Sequence, residues 1–244
     1  MSAREPAAET GPRGRVLAAA LRLLAAAGPE ALQARRLAAE AGTSTMAVYT
    51  HFGGMGQLVT EVVREGYICF GRRLAEAPRS DDPVADLLEL GLAYRDYALE
   101  NPQLYRLMFG ATAPAGQRAG PDQSVAAAAD ALPEARAAFA QLVDLVTRVM
   151  EAGSGSQETP GSAAYQLWSA IHGYLLLEIA GFFRPGGEAT DRFLLPLLAK
   201  LAAGIGADPE HAARCAGLIA ASRSNRRAAT QRSRAGALRE GRVL

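Results

Sequence analysis

The sequence is poor in cysteine and in lysine. Its 244 residues include two cysteines, Cys69 and Cys215, which lie far apart and form no CxxC pair. A disulfide scaffold or a cysteine-based zinc site is therefore not expected. Lys200 is the only lysine among 26 cationic residues, and we attribute this arginine bias to coding composition. The first apolar run lacks the layout of a signal peptide, so we expect a protein of the reducing cytoplasm.

The sequence also lacks long hydrophobic runs and enzyme motifs. The longest apolar stretch, residues 167–183, contains His172 and Glu178. It is slightly shorter than the roughly 20 residues that span a bilayer, so it predicts a buried core helix. There is no Walker A motif, no GxGxxG after a strand, no GxSxG and no HExxH. We therefore expect no enzyme, no cofactor and no metal site.

The most abundant residue is alanine, with 52 copies, which favours helix over strand. Apolar residues recur with helical spacing, and no segment alternates convincingly between apolar and polar residues. The length fits one large domain or two small ones. These patterns predict an all-α fold. Within it, Pro196 should kink or restart a helix over residues 188–203, and the last helix should cover residues 209–222.

The net charge of +1 conceals an uneven distribution along the chain. Residues 1–60 carry a net charge of +2, residues 61–220 carry −7, and residues 221–244 carry +6. An acidic body between basic ends is expected of a nucleic-acid binder whose body must not adhere to phosphate. The alternative is that the arginine-rich end is simply a solvated, disordered segment.

The most informative segment is residues 34–52, ARRLAAEAGTSTMAVYTHF. Two short helices, residues 34–41 and a second one ending at His51, should meet at a tight turn in which Gly42 ends the first helix. Ser44 or Thr45 can cap the second helix. Such a helix-turn-helix places its second helix in the DNA major groove, although any three-helix region can contain a similar turn.

The residues of this segment suggest individual roles. Threonine hydroxyls can bond base edges or phosphates, Met46 or Ala47 can meet a thymine methyl group, and Tyr49 and His51 can reach phosphates. Val48 and Phe52 should face the core. The complete set of predicted DNA-binding residues is Arg35, Ser44, Thr45, Met46, Ala47, Tyr49, Thr50 and His51.

The segment from Arg15 to Leu58 closely resembles the N-terminal domain of the tetracycline-repressor (TetR) family. The matching features are the AA..L...G run, LAAEAG, VYTHF and the leucine that follows. The resemblance implies a DNA-binding head, a divergent helical ligand-binding body and a homodimer. One departure is Met55, where the family usually has a lysine, so this chain has no charged side chain there for a phosphate. The backbone amides at that helix start remain available to a phosphate.

A second segment, WSAIHGYLLLEIAG, resembles the WHG-type ligand-binding domain of a TetR subgroup. In that subgroup this helix lines the ligand cavity and joins the dimer. The alternative is that His172 is a satisfied core histidine and Trp168 fills the core. Other large residues could line the same apolar cavity. The predicted ligand-binding residues are Tyr97, Tyr105, Met108, Phe109, Phe139, Trp168, His172 and Glu178.

The two helices predicted over residues 162–183 and 188–203 have more apolar surface than the core of one chain needs. This predicts that two copies of the chain form a four-helix bundle. Burial within one chain is the alternative for about half of the residues listed next. The predicted dimer residues are Ile179, Phe182, Phe183, Phe193, Leu194, Leu197, Leu198 and Leu201. The predicted organisation is a disordered N-terminus (1–12), a DNA-binding domain (13–60), a ligand-binding and dimerisation domain (61–222) and a disordered arginine-rich tail (223–244).

These features predict a transcriptional regulator, more often a repressor in this family. A homodimer should bind a palindromic operator and be released by a small, mostly apolar ligand, and no membrane partner is expected. One alternative is a helical small-molecule-binding protein or enzyme that binds no specific DNA. Another is that the arginine-rich tail is the true nucleic-acid element.

Overall fold

The computed structural model describes residues 11–110, 132–154, 157–184 and 186–239. No strand occurs in these ranges, and the predicted all-α fold is confirmed. The predicted disorder of residues 1–10 and the end of the tail at 240–244 lie outside the described residues. The sequence also predicts a loop over residues 110–124, which are rich in glycine, proline and alanine, and most of it lies outside them as well. The helices are α1 (Pro12–Ala27), α2 (Ala34–Glu40), α3 (Thr45–Phe52), α4 (Met55–Ala75), α5 (Pro83–Glu100), α6 (Pro102–Met108), α7 (Pro133–Ala152), α8 (Pro160–Ile179), α9 (Leu195–Gly204) and α10 (Pro209–Arg239).

The described residues form two compact units, each built from two stretches of chain. The first unit comprises the described residues of 11–77 and 93–141, and the second comprises those of 78–92 and 142–239. The first therefore contains α1–α4 and α6, and the second contains α8–α10. The domain boundary predicted at residue 60 falls inside α4, which runs on without a break to Ala75.

The first three helices form a small bundle around a shared core. Val16 and Leu24 of α1, Leu37 of α2 and Val48 of α3 are at most 1% exposed. Their spacing gives each helix one apolar stripe, and the three stripes face each other. Phe52 is also buried, so the prediction that Val48 and Phe52 face the core is confirmed.

Polar contacts fix this bundle to α4. Arg13 of α1 lies over the Phe52 ring at 5.0 Å and donates to Glu61 of α4 at 2.8 Å. Arg22 of α1 donates to Glu40 of α2 at 2.9 Å. These contacts join α1 to each of the three helices that follow it.

Close packing joins α4 to α5 and α6 within the first unit. The Tyr67 hydroxyl donates to the Met108 carbonyl at 3.2 Å, and the Tyr97 hydroxyl donates to the Gly66 carbonyl at 2.7 Å. Gly66 lacks a side chain at a point where a Cβ atom would lie 2.7 Å from Met108 Sδ. The absence of a side chain at Gly66 therefore allows α6 to approach α4 closely.

The second unit contains the restart expected at Pro196. A short π-helical segment, Thr190–Leu194, leads into α9, and Pro196 lies in the first turn of α9. A proline is tolerated there because first-turn amides need no intrahelical partner. Leu198 of α9 fills the space beside Gly91 of α5, where a Cβ atom would lie 2.4 Å from Leu198 Cδ1.

The C-terminal helix is longer than the sequence predicts. The predicted end at Ser222 and the predicted disorder of the tail are wrong for residues 223–239, because α10 continues to Arg239. Asp191 supports this extension: it accepts from Arg223 Nε at 3.0 Å and also pairs with Arg227. Two of the tail arginines therefore have an acidic partner within the chain.

In the described ranges no helix combines the length and the hydropathy that crossing a bilayer requires. The apolar stretch over residues 167–183 lies mostly in α8, which ends at Ile179. Gly181 adopts a positive φ of 83° just beyond that end. Phe182 and Phe183 consequently lie outside the helix predicted to contain them.

Candidate nucleic-acid interface

Local features at both ends determine where α3 begins and ends. The Ser44 hydroxyl accepts from the Ala47 amide at 3.1 Å, so Ser44 is the N-cap. Gly42 has φ of 63° in the turn before it, and Gly53 has φ of 72° at the C-cap. These are left-handed conformations that glycine adopts without strain. The predicted turn and cap are both confirmed.

The two faces of α3 differ sharply in exposure. Met46 is 70% exposed and Tyr49 is 46% exposed, whereas Val48 is fully buried. Thr50 is exposed as well, but its hydroxyl donates to the Met46 carbonyl at 2.9 Å. With that proton engaged, Thr50 can offer an oncoming base its oxygen as an acceptor and its methyl group, but no proton for a phosphate. Thr45, Ala47 and His51 are half-buried.

Two arginines lie on α2, the helix that packs against α3. Arg35, a predicted DNA-binding residue, is exposed, and the neighbouring Arg36, which the sequence analysis did not select, is exposed too. Within the described ranges neither guanidinium forms an ion pair. The sequence signal for Arg36 was its position directly beside Arg35 at the start of the same short helix. Both side chains are available to a phosphate or a guanine.

The start of α4 follows α3 after two glycines. Gly53 and Gly54 separate the helices, and α4 begins at Met55, where the sequence departs from the lysine usual in the family. Gly56 is exposed, and a Cβ atom there would have no heavy atom within 4 Å, so no side chain lies close to this glycine in the first turn. Accessible amides at a helix start can contact a phosphate without a charged side chain.

Four of the predicted ligand-binding residues lie in the aromatic core of the first unit. Tyr97 is 4% exposed, and Tyr105 and Met108 are fully buried. The Tyr105 hydroxyl donates to the Tyr94 hydroxyl at 3.2 Å, and the rings of Tyr105 and Phe109 lie 4.7 Å apart. Burial raises the pKa of Tyr97 and of Tyr105, so both remain hydrogen-bond donors. The contacts of Tyr97, Tyr105 and Met108 are those of core residues, and their ligand role stays a prediction.

The remaining predicted ligand-binding residues divide between the two units. Phe139 of α7 is half-buried in the first unit, whereas Trp168, His172 and Glu178 are half-buried on α8 in the second. The Trp168 and His172 rings are stacked, with centroids 5.7 Å apart. Burial lowers the pKa of His172, so its imidazole is neutral at pH 7. A neutral imidazole beside an indole suits an apolar or weakly polar neighbour.

The predicted dimer residues differ in their exposure. Leu194 and Leu198 are fully buried within this chain, so their assignment to a dimer surface is corrected: they pack in the core of their own unit. Phe182 is 75% exposed and Phe193 is 46% exposed. Phe183 stacks on Tyr174 at 5.0 Å. Ile179, Leu197 and Leu201 are half-buried.

The sequence analysis missed three exposed apolar residues of the second unit. Tyr165 is 58% exposed and Leu177 is 46% exposed on α8, and Leu218 is 73% exposed on α10. The spacing of apolar residues could not identify them, because an apolar residue gives the same sequence pattern whether its helix face is covered by the same chain or exposed to solvent.

Two family models match the chain over its head and over much of its body. The model described as Bacterial regulatory proteins, tetR family, matches residues 16–62. The model described as Tetracyclin repressor-like, C-terminal domain, matches residues 87–201. The chain belongs to the TetR family of DNA-binding transcriptional regulators. The match to the WHG subgroup stays a prediction.

One relative is similar to the chain in sequence, and two solved structures are similar to it in fold. The chain is 29% identical to the uncharacterized HTH-type transcriptional regulator Rv0681 of Mycobacterium tuberculosis over 196 residues. This match covers 79% of this chain and 81% of the relative. The fold of this chain is similar to that of a protein of unknown function from Rhodococcus sp. RHA1. The TM-score is 0.65 at 24% identity, over 83% of this chain and 100% of the other protein. The fold is also similar to that of a TetR-family transcriptional regulator from Streptomyces coelicolor, with a TM-score of 0.59 at 19% identity over 86% of this chain and 88% of that one.

Proposed function

We propose that this protein is a cytoplasmic, homodimeric repressor that binds a palindromic operator through α3 and is released by a small, mostly apolar ligand. The observation that carries the DNA-binding role is the outward face of α3. A capped helix of eight residues buries Val48 and Phe52 and leaves Met46 and Tyr49 open. The exposed side chains of the second helix of a helix-turn-helix are the ones that meet base edges in the major groove.

Two symmetry-related copies of α3 would enter successive major grooves, which makes the operator palindromic. Met46 suits a thymine methyl group, and the Tyr49 hydroxyl suits a phosphate. Arg35 and Arg36 would add phosphate contacts beside them. This division predicts that Met46 contributes sequence preference and that the arginines contribute affinity that salt weakens.

The homodimer would use the exposed apolar residues of the second unit. Of the large hydrophobic residues exposed in the described ranges, five belong to this unit, and two others belong to α3. The five are Tyr165, Leu177, Phe182, Phe193 and Leu218. Sedimentation of Leu218→Ser against Ile68→Ser tests this surface, because Ile68 is an exposed apolar residue of the first unit. The dimer should weaken for the first variant and persist for the second.

The DNA-binding role is tested by selecting random duplexes with the purified full chain, the Tyr49→Ala variant and the Arg79→Ala variant. Arg79 is a suitable control because its side chain is 68% exposed and belongs to the second unit. We expect a palindromic consensus for the wild type and for Arg79→Ala, and its loss for Tyr49→Ala. A folded dimer that enriches no sequence would contradict the proposal.

The tail alternative is distinguished by a double variant, Arg226→Ala with Arg232→Ala. Both arginines are exposed on α10. If α3 reads the operator, the consensus sequence stays unchanged in this double variant. Only the salt dependence of the affinity can decrease, by about one released counterion for each arginine that no longer neutralises a phosphate. Loss of the consensus in this double variant would instead place recognition in the tail.

Ligand binding can be followed through the single tryptophan of the chain. Trp168 stacks on His172 along α8, so a ligand that reaches this helix should change its fluorescence. Small apolar compounds that change the fluorescence should also weaken operator binding, since release requires higher affinity for the state that does not bind DNA. A compound that changes the Trp168 fluorescence without weakening operator binding, or the reverse, would show that binding at α8 and release from DNA are not coupled.

A further inference from the structure

Three side chains with metal-binding atoms meet in the second unit. Asp82 lies just before α5, and His211 and Cys215 lie one turn apart on α10. His211 Nε2 lies 3.1 Å from Asp82 Oδ1 and 3.0 Å from Oδ2. Cys215 Sγ lies 3.5 Å from Asp82 Oδ2 and 3.5 Å from His211 Nε2. One donor atom from each residue thus falls within 4.8 Å of the other two.

These separations match those of donors that share one metal ion. Zinc binds nitrogen and oxygen at about 2.0–2.2 Å and sulfur at about 2.3 Å, with tetrahedral angles. Donors in that arrangement lie about 3.3–3.6 Å from each other. The three sides of the Asp82, His211 and Cys215 triangle already have nearly these lengths, so an ion requires shifts of only a few tenths of an ångström.

The segment that carries Asp82 is held in place by its own hydrogen bonds. The Asp82 amide donates to Ser80 Oγ at 3.2 Å, and Ser80 Oγ donates to the buried Asp86 carboxylate at 2.7 Å. Arg148 of α7 donates to Asp86 at 2.9 Å and to the Ser80 carbonyl at 2.6 Å. Because Asp82 is held in this way, its side chain loses little conformational freedom when it binds a metal ion.

The donor set selects the kind of ion. One thiolate, one imidazole and one carboxylate favour zinc and related transition ions over magnesium or calcium, which prefer oxygen. The side chains of Asp82 and His211 are 35% and 39% exposed, so water can reach the remaining position. Three protein ligands with one open position is a common arrangement for zinc.

Without a metal the same residues form an ordinary hydrogen-bonded cluster. Burial alone would raise the pKa of Asp82, but hydrogen bonds from His211 and from the Ala85 amide lower it below its usual value, so Asp82 is a carboxylate. Burial and the Asp82 carboxylate raise the pKa of Cys215 to about 11, so Cys215 is a thiol that donates to Asp82. When the sulfur–metal bond forms, the thiol proton is released to water.

We propose that Asp82, His211 and Cys215 form a three-ligand site for a divalent transition ion of the zinc class, with water as the fourth ligand. The ion joins the segment before α5 to α10, two parts of the second unit that are 129 residues apart in sequence. This goes beyond the proposed role as a repressor and does not depend on it. It also departs from the sequence-based expectation that the chain holds no metal.

The test uses the metal-free full chain titrated with Co²⁺, whose bond to a thiolate gives a near-ultraviolet charge-transfer band. We expect the band to saturate at one equivalent per chain and to disappear when Zn²⁺ displaces Co²⁺. Cys215→Ser should abolish the band. Cys69→Ser is the matched control, since Cys69 is the only other cysteine and lies in the first unit, 3.1 Å from the Arg72 guanidinium.

His211→Ala provides a second variant, at a more exposed position than Cys215. It should weaken Co²⁺ affinity at least about 100-fold, since even residues that only support metal ligands are worth about 10- to 100-fold. Zn²⁺ should raise the melting temperature of the wild type and of Cys69→Ser but not of His211→Ala. The proposal is wrong if the wild type gives no band at one equivalent, if the band survives Cys215→Ser, or if Cys69→Ser removes it.

Discussion

The contact between α4 and α6 leads to a quantitative prediction at Gly66. A Cβ atom at this buried glycine would lie 2.7 Å from Met108 Sδ, 3.0 Å from Met108 Cγ and 3.2 Å from Leu104 Cδ1. Met108 is fully buried, so its thioether cannot swing into solvent. Overpacking of this kind costs about 1–3 kcal/mol, against which alanine returns about 1 kcal/mol of helix propensity. Gly66→Ala should therefore destabilise the protein by about 0–2 kcal/mol.

Gly71→Ala on the same helix separates these two contributions. A Cβ atom at Gly71 would meet Gln141 Nε2 at 3.6 Å and Ala138 Cβ at 3.8 Å, which are ordinary contacts. This variant should gain the propensity alone and become more stable by up to about 1 kcal/mol. The difference between the two variants then isolates the steric cost at Gly66, about 1–3 kcal/mol. The measurement is equilibrium urea unfolding at one fixed protein concentration.

A double-mutant cycle identifies the source of the cost. Met108→Ala alone removes buried atoms and should destabilise by about 2–5 kcal/mol. With Gly66→Ala also present, the new methyl group occupies part of the space that Met108 leaves, so the double variant should be more stable than the sum of the single effects. Additive effects, or equal stability of Gly66→Ala and Gly71→Ala, would refute the close approach of α4 and α6 described here.

Two further predictions concern polar contacts of the second unit. Asp86→Asn should lower the free energy of unfolding by about 3–5 kcal/mol, because it leaves Arg148 without its buried partner. Asp144→Asn should lower it by less than about 1 kcal/mol, because the pair of Asp144 with Arg79 is exposed. Equal losses for the two variants in urea unfolding would contradict this reasoning. Asp191→Asn should speed amide hydrogen exchange in the C-terminal part of α10 and leave its first turns unchanged, since Asp191 pairs with two arginines there. Unchanged exchange after this substitution would mean that the ion pairs do not hold the end of the helix.

Much of the fold could be predicted because its signals are local. The ends of α3 depend on Ser44 and Gly53, which lie within one turn of the helix they limit, and both are visible in the sequence. The end of α10 could not be predicted in the same way. The residues after Ser222 carry no apolar stripe, so periodicity gives no signal, and the partner that supports the extension is Asp191, far away in the chain.

The same distinction separates the sites. Met46 and Tyr49, predicted to bind DNA, are exposed on α3, because a short capped helix has one buried face and its exposed face follows from it. Their contact with DNA stays a prediction. Leu194 and Leu218 show the limit of this argument. Both are leucines in helical segments, but Leu194 is covered by its own chain and Leu218 is 73% exposed, and spacing along one helix does not specify the neighbour.

The contacts of the first unit suggest how a change in its body could reach the DNA-binding helix. Arg13 contacts both Phe52 of α3 and Glu61 of α4, so these two helices share a polar connection besides the short glycine link. One turn beyond Glu61, Gly66 brings α4 against Met108 of α6. Interfaces packed this closely resist gradual deformation and tend to shift between discrete arrangements. The Gly66 and Met108 cycle, repeated with operator affinity as the readout, distinguishes a contact that only stabilises the unit from one that also sets the position of α3.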